Sequence, residues 1–267
     1  IEEAREIANR IYQIMAIRGI AENVLKFSPE KSAEIFIKIP ELIKEISTNT
    51  RRMDAFRMFL SGKIETISQK TFEEMAATLP ENSVNDIIQS LLAVIEETPE
   101  VPGRLECIHN IAVIATKVVK GENLEKILSS IISYLKNMEN VIDMSRGFIE
   151  IARGTITEDP NLSYQYLEEG LSQIENAEIK SGDSKKMFLL TKQIFPILEK
   201  FPQPTLVYAL WEKVIQVICK LEQPLREELF SEIASLLFAI DPEKALDIAG
   251  RIDLHEYKVK TIKSLLS

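Results

Sequence analysis

The chain has 267 residues and a formal net charge of −9, with 45% hydrophobic and 27% charged residues. This is the balance of a folded protein, so disorder over most of the length is excluded, and with only 9 glycines and 11 prolines a turn-rich all-β sandwich or barrel is not expected. The acidic balance repels phosphate backbones on average, which argues against non-specific binding of nucleic acid.

Apolar residues recur at the helical period along nearly the whole chain. One stripe that is typical of the rest consists of Ile127, Ile131, Leu135 and Met138. No segment alternates apolar and polar residues for long enough to indicate a strand. The pattern therefore predicts an all-α protein.

Residues 1–62 carry helices in a shorter and less regular frame. The chain opens with an amphipathic segment, Ala4–Ile11. Further on, Ser28-Pro29-Glu30 marks a helix start, because it supplies an N-cap oxygen, a proline in the first turn and an acid near the helix N-terminus. We predict helices here without a unique assignment of their limits.

Residues 63–252 are predicted to form about five helical hairpins. Breaks in the apolar pattern place the first helix of each hairpin near residues 64, 104, 145, 185 and 226, and the second near residues 83, 123, 161, 205 and 243. Both series repeat about every 40 residues, a period typical of helical-repeat proteins. Asp241-Pro242-Glu243 supplies a start signal to the last of the second helices, and a final helix is predicted in residues 253–267.

The segments that follow the two start signals are alike in sequence. Residues 28–39, SPEKSAEIFIKI, match residues 241–252, DPEKALDIAGRI, and Ala4–Ile11, AREIANRI, fits the end of the same template. The hairpin period and these segments resemble degenerate α-solenoid repeats of the HEAT and tetratricopeptide kind. The resemblance implies that residues 1–267 form one right-handed superhelical α-solenoid of antiparallel hairpins, in which neighbouring hairpins bury each other's apolar stripes. It also implies a habit of binding other proteins, and it brings no activity or catalytic residue.

The motifs of common cofactor and metal sites are missing from the sequence. There is no glycine-rich phosphate-binding motif and no HExxH zinc motif. Glu106 and His109 form an ExxH, which is half of a helical di-metal carboxylate site, but His255, the other histidine, has no matching glutamate. Cys107 and Cys219 lie far apart and fit no zinc spacing. We predict no cofactor, no metal ion and no catalytic residue, although 41 acidic residues leave carboxylate chemistry open.

Nothing in the sequence indicates secretion or membrane insertion. No apolar run approaches the ~20 residues that span a bilayer, and no secretory signal pattern opens the chain. Two scattered cysteines suit a reducing compartment. We expect a cytoplasmic protein with no membrane association.

Five basic residues stand at one phase of the predicted repeats. They are spaced 41, 42, 40 and 40 residues apart and are Lys63, Arg104, Arg146, Lys186 and Arg226. In a stacked array an equal phase would align them along one surface and favour an acidic ligand. Chance, or ion pairing inside the repeats, is the commoner explanation of such a set.

Aromatic residues open the second helices of adjacent repeats, and the candidates for binding among them are Tyr164, Tyr208 and Trp211. Amphipathic aromatic side chains on a concave surface are typical anchors for a protein partner. Core packing is the commoner use of aromatic residues at helical spacing.

The sequence favours a non-enzymatic scaffold that binds a protein or peptide on its concave surface through these basic and aromatic residues. The alternative is an enzyme of unknown class with a pocket between helices. Nucleic acid is not an expected partner at this net charge. Self-association is a further expectation, because the end faces of an uncapped array are apolar.

Overall fold

The computed structural model describes residues 9–64, 67–68, 70–99, 103–178, 181–202 and 204–266. These residues are helical apart from connecting turns and one short strand pair, which confirms the prediction of an all-α protein. The chain divides into two compact units, residues 1–137 and 138–267. None of the helices in the described ranges combines the length and the apolar character that crossing a bilayer requires.

The first unit consists of short and long helices interrupted by the strand pair. In chain order its elements are α1 (Arg10–Leu25), α2 (Pro29–Phe36), α3 (Ile39–Lys44), α4 (Asn49–Ser61), β1 (Lys63–Ile64), β2 (Ile67–Ser68), α5 (Phe72–Ala76), α6 (Glu81–Glu96), α7 (Arg104–Val118) and α8 (Gly121–Lys136).

The strand pair corrects one prediction, because no helix begins near residue 64. The chain leaves α4 through Gly62, whose φ of 69° is left-handed and suits a glycine. β1 and β2 then pair antiparallel, and the next helix begins only at Phe72. The prediction of a helix near residue 64 rests on breaks in the pattern spaced about 40 residues apart, and this spacing contains no information on the local strand pair.

A buried arginine holds the strand pair in place. Arg18 of α1 is fully buried. Its Nε donates a hydrogen bond to the carbonyl of Phe59, at 2.8 Å, and a terminal nitrogen donates to the carbonyl of Lys70. The two carbonyls lie before and after the strand pair, so one guanidinium fixes both ends of it.

The second unit consists of longer helices. In chain order they are α9 (Val141–Thr155), α10 (Pro160–Asn176), α11 (Ser184–Leu198), which follows a 3-10 turn at Ser181–Asp183, α12 (Pro204–Cys219), α13 (Leu225–Phe238), α14 (Pro242–Gly250) and α15 (His255–Leu266).

The predicted starts of the second helices are confirmed within two residues, since α6, α8, α10, α12 and α14 begin at residues 81, 121, 160, 204 and 242. Among the first helices, α7, α11 and α13 begin at residues 104, 184 and 225, near their predicted starts. α9 begins four residues earlier than predicted, at Val141, because the Asn140 side chain accepts hydrogen bonds from the backbone amides of Ile142 and Asp143 and caps the helix there.

Helices of the second unit pack on near neighbours in the chain. α9 contacts α10 and α11, α11 contacts α12 and α13, α13 contacts α14 and α15, and α10 contacts α12. Each first helix in this unit therefore touches its own hairpin partner and the next first helix.

Three hairpins pack much more closely than the others, namely α1/α2, α9/α10 and α13/α14. Each contains the same sequence pattern. It starts with an alanine, which is followed after six residues by a serine or aspartate that caps the second helix and then by a proline. After two more residues the pattern ends with a serine or alanine. The three copies are residues 21–32 (AENVLKFSPEKS), 152–163 (ARGTITEDPNLS) and 234–245 (ASLLFAIDPEKA). We call this the tight-hairpin motif.

Small buried side chains let the two backbones of a tight hairpin approach. The first and last residues of all three motifs are buried. In two of them the final serine donates a hydrogen bond across the hairpin to the carbonyl of the first alanine, from Ser32 to Ala21 and from Ser163 to Ala152, both at 2.8 Å. A Cβ on Gly170 of α10 would lie only 3.1 Å from the carbonyl oxygen of Ser145 in α9. The backbones of α9 and α10 therefore stay close together further along the two helices.

Candidate functional site

Two of the predicted basic residues lie in the first unit and have different surroundings. Lys63 is exposed at the start of β1. Arg104, the first residue of α7, is only 6% exposed. Its guanidinium stacks on the ring of Tyr134, 4.0 Å from the centroid, and donates to the carbonyl of Ile95 at 2.5 Å. Arg104 thus ties α6, α7 and α8 together.

The other three predicted basic residues lie in the second unit at different positions of their helices. Arg146 is the sixth residue of α9 and is exposed, and Lys186 is the third residue of α11 and pairs with Asp183 at 3.5 Å. Arg226 is the second residue of α13. The equal spacing in sequence therefore does not give an equal position within the helices, because the turns between the helices differ in length.

Arg226 belongs to a network that fixes the turn between α14 and α15. It pairs with Glu227 at 3.0 Å and with Asp253 at 2.8 Å. Glu227 is fully buried and accepts a hydrogen bond at 3.0 Å from the backbone amide of Asp253. The contacts of Arg226 are therefore ion pairs within the second unit.

The helices α10 and α12 carry the predicted aromatic residues, and charged side chains join them to each other and to α14. Lys213 of α12 donates to Ser172 of α10 at 2.9 Å and lies 3.9 Å from Glu168 and 3.7 Å from Glu175. We call the surface formed by α10, α12 and α14 the second-helix surface.

Lys220 closes the far end of the contact between α10 and α12. Its ammonium donates to the carbonyls of Ile174, Glu175 and Ala177, at 3.2, 2.6 and 2.8 Å. These carbonyls lie at the C-terminus of α10, where a cation is stabilised by the helix dipole. The lysine satisfies acceptors that the helix itself leaves open.

The two predicted tyrosines lie half-buried on the second-helix surface. Lys244 of α14 lies 5.5 Å above the ring of Tyr208 and pairs with Glu212. Burial raises the pKa of Tyr164, and the nearby charge of Glu168 raises it further. Both tyrosines therefore lie beside charged side chains, Glu168 for Tyr164 and Lys244 for Tyr208.

Trp211 lies in the core of the second unit. It is 2% exposed and packs on Phe195 of α11, with 5.8 Å between ring centroids. Its indole nitrogen has no hydrogen-bond partner in the part of the chain that the structure describes. These contacts make Trp211 a core residue, which is the commoner use of such an aromatic side chain.

Sequence reasoning missed the lysines that join the second helices and the tight-hairpin motif. Lys213 and Lys220 act across 41 to 46 residues, which no local pattern contains. The motif could have been found, since Asp159-Pro160 repeats the start signals at residues 28 and 241. In each of the three segments an alanine stands seven residues before the capping serine or aspartate.

The described residues contain no group of three or more histidine, cysteine, aspartate or glutamate side chains placed to hold a metal ion. Glu106 of the ExxH instead pairs with Arg57 at 3.3 Å. A cavity of about 290 Å³ between α13 and α15 is lined in part by Glu228, Glu232 and Tyr257. Both carboxylates pair with Lys192 of α11, at 2.8 and 3.2 Å, so their charges serve the contact between α11 and α13.

Comparisons of this chain with family models, curated proteins and solved structures give no match.

Proposed function

We propose that the chain is a cytoplasmic helical-repeat scaffold, an α-solenoid of hairpins with a period of about 40 residues, which binds a protein or peptide and catalyses no reaction. The observation that carries the proposal is the recurrence of the tight-hairpin motif. It begins at Ala21, Ala152 and Ala234, and the interval of 82 residues between the second and third copies is close to two such periods.

The packing of the second unit supports the same proposal. α9, α11 and α13 contact one another in succession, and α10 contacts α12. Hairpins that stack on their neighbours form an extended surface, which is the part of a repeat protein that binds partners.

We place the partner on the second-helix surface. Tyr164 and Tyr208 are half-buried there, and a tyrosine combines a large apolar ring with a polar tip, as binding hot spots often do. The contacts of Lys213 and Lys244 across the helices hold this surface in one geometry before a partner arrives. A preorganised surface loses less conformational entropy on binding.

The test is capture from a native lysate with the purified chain as bait, quantified by mass spectrometry. The bait is compared with Tyr164→Ala/Tyr208→Ala and with a control, Tyr12→Ala/Tyr257→Ala, which removes two tyrosines outside the second-helix surface. We expect one protein in stoichiometric amount with the parent and the control, reduced about tenfold or more by the first variant. Absence of a stoichiometric partner, or equal capture by both variants, would contradict the proposal.

A further inference from the structure

The two tyrosines of the second-helix surface belong to a short motif that occurs twice. In α10 and again in α12, a tyrosine and a glutamate stand four and eight residues after the proline that opens the helix. The pairs are Tyr164 with Glu168 and Tyr208 with Glu212. A spacing of four residues brings both side chains of a pair to the same helix face. The motif therefore places an aromatic ring and a carboxylate together at equivalent positions of two successive second helices.

The pair in α12 binds a lysine of this chain. Lys244, the third residue of α14, holds its ammonium group 5.5 Å from the centre of the Tyr208 ring and pairs with the Glu212 carboxylate. The face of an aromatic ring attracts a cation, and a carboxylate beside the ring adds an ion pair. The structure thus contains one example of how this motif binds an ammonium group.

The pair in α10 has no corresponding lysine in the next second helix. The position of α12 that corresponds to Lys244 in α14, two residues after the opening proline, is Leu206 in the sequence. Among the described residues, no cation lies over the ring of Tyr164. Burial, and then the charge of Glu168, raise the pKa of Tyr164, so the carboxylate lies near the tyrosine. The α10 pair therefore has the groups of the α12 pair but not its lysine.

One lysine of the chain approaches Glu168 from the direction of the C-terminus of α10. Lys213 donates its hydrogen bond to Ser172, one turn after Glu168, at 2.9 Å. Its nitrogen lies 3.9 Å from the Glu168 carboxylate and 3.7 Å from that of Glu175, and both distances are longer than those of a hydrogen bond. One ammonium group is thus shared between two carboxylates of a helix that has three glutamates and no basic residue. The Glu168 carboxylate keeps the capacity to accept from a second cation on its Tyr164 side.

We propose that Tyr164 and Glu168 bind a lysine side chain of the partner protein, in the way that Tyr208 and Glu212 bind Lys244. The proposal rests on the proposed function, since it names the chemistry that a partner presents to the second-helix surface. The ammonium group lies over the tyrosine ring and donates to the carboxylate, and the acidic character of α10 favours a basic segment around that lysine. The surface then makes the same lysine contact once within the chain and once with the partner.

Selection of peptides tests the chemistry of this site without knowledge of the natural partner. A library of random displayed peptides is first depleted on immobilised Tyr164→Ala/Glu168→Gln and then selected on the parent chain. We expect the selected peptides to share a lysine. Peptides that share no lysine, or no peptide specific to the parent chain, would overturn the proposal. Neither result would contradict the proposed function, whose own test is the capture of a partner that could use other groups on the same surface.

A double-mutant cycle with a selected peptide tests the contact itself. Its affinity, measured by fluorescence anisotropy, should fall about fivefold with Glu168→Gln and about as much when norleucine replaces the peptide lysine. The two changes together should cost no more than one alone, because both remove the same contact. The control Glu199→Gln makes the same change of charge at an exposed glutamate at the end of α11 and should leave the affinity unchanged. Additive losses, or an equal loss with Glu199→Gln, in variants that keep their helical circular dichroism would overturn the proposal.

Discussion

The hairpins α9/α10 and α11/α12 are built from the same kind of helix, yet the first packs far more closely than the second. The prolines that open their second helices, Pro160 and Pro204, are 44 residues apart. At that offset, Pro196 stands in the place of Ala152, and two valines stand in the places of two small residues, Val207 for Ser163 and Val214 for Gly170.

The difference shows that side-chain size at a few positions decides how far apart the helices of a hairpin lie. Where those side chains are small, backbone meets backbone and a serine hydroxyl joins the two helices. Where they are large, the space between the helices is filled by side chains such as Phe195 and Trp211. Both kinds of packing exclude water, but different residues supply the stabilising free energy in each.

We call a hairpin with large side chains between its helices, such as α11/α12, a wide hairpin. The largest expected effect on stability concerns Trp211, which fills the space in this one. Trp211→Ala should lower the free energy of unfolding by about 4 kcal/mol, because a buried aromatic ring leaves a cavity. Trp211→Phe should cost only about 1 kcal/mol, since the lost volume is offset by removal of a buried indole donor that has no described partner. Urea unfolding measures both, and similar costs for the two variants would show that Trp211 does not fill this space.

The next effect concerns the close approach in the tight hairpin. Gly170→Val should lower the free energy of unfolding by about 3 kcal/mol, because its Cβ would meet both the Ser145 carbonyl oxygen and the Phe148 Cβ at 3.1 Å. The control is Gly250→Ala in α14, where a Cβ meets nothing within 4 Å. This control should leave stability equal or slightly higher, and a cost like that of Gly170→Val would contradict the packing argument.

The sequence predicts helix starts well where the signal is local. Asp241-Pro242 caps α14 with its own side chain, which accepts from the Lys244 amide at 3.0 Å, and such a signal can be read directly from adjacent residues. The strand pair after α4 could not be predicted in this way, because it depends on Arg18, 52 residues before Lys70.

The candidate site shows the same limit. Lys63, Arg104, Arg146, Lys186 and Arg226 are evenly spaced in sequence. The partners of Arg104, however, lie 9 and 30 residues away, and Arg226 has one partner next to it and another 27 residues away. Whether a side chain is engaged or free is set by those contacts, which the spacing does not contain. The role of Tyr164 and Tyr208 in binding a partner stays a prediction.

A second wide hairpin, α7/α8, has Val113 and Leu124 at the first and last positions of the tight-hairpin motif. It contains a buried thiol, which makes its free energy of unfolding depend on pH. Burial raises the pKa of Cys107 in α7 above its usual range. Above the unfolded pKa of about 8.5, the unfolded chain loses this proton and the folded chain keeps it. The free energy of unfolding should therefore fall by about 1.4 kcal/mol per pH unit relative to Cys107→Ala.

Thiol labelling checks the burial that this prediction assumes. Cys219 is exposed and Cys107 is buried, so a disulfide reagent at neutral pH should modify one thiol in the native protein and two after denaturation. Fast modification of both native thiols, or parallel pH profiles for the parent and Cys107→Ala, would show that α7 does not bury the sulfur.

The smallest effect separates the hydrogen bond of the tight hairpin from its close packing. Ser163→Ala and Ser32→Ala each remove the hydroxyl that donates to the opposite helix and keep a small side chain, so each should cost about 1 kcal/mol. The motif in α13/α14 has Ala245 at this position, and Ala245→Ser should be nearly neutral, because its hydroxyl can donate to the carbonyl of Ala234 as in the other two copies. A cost of about 2 kcal/mol for Ala245→Ser, the size expected for a buried hydroxyl left without an acceptor, would mean that the three hairpins share small side chains but not one backbone geometry.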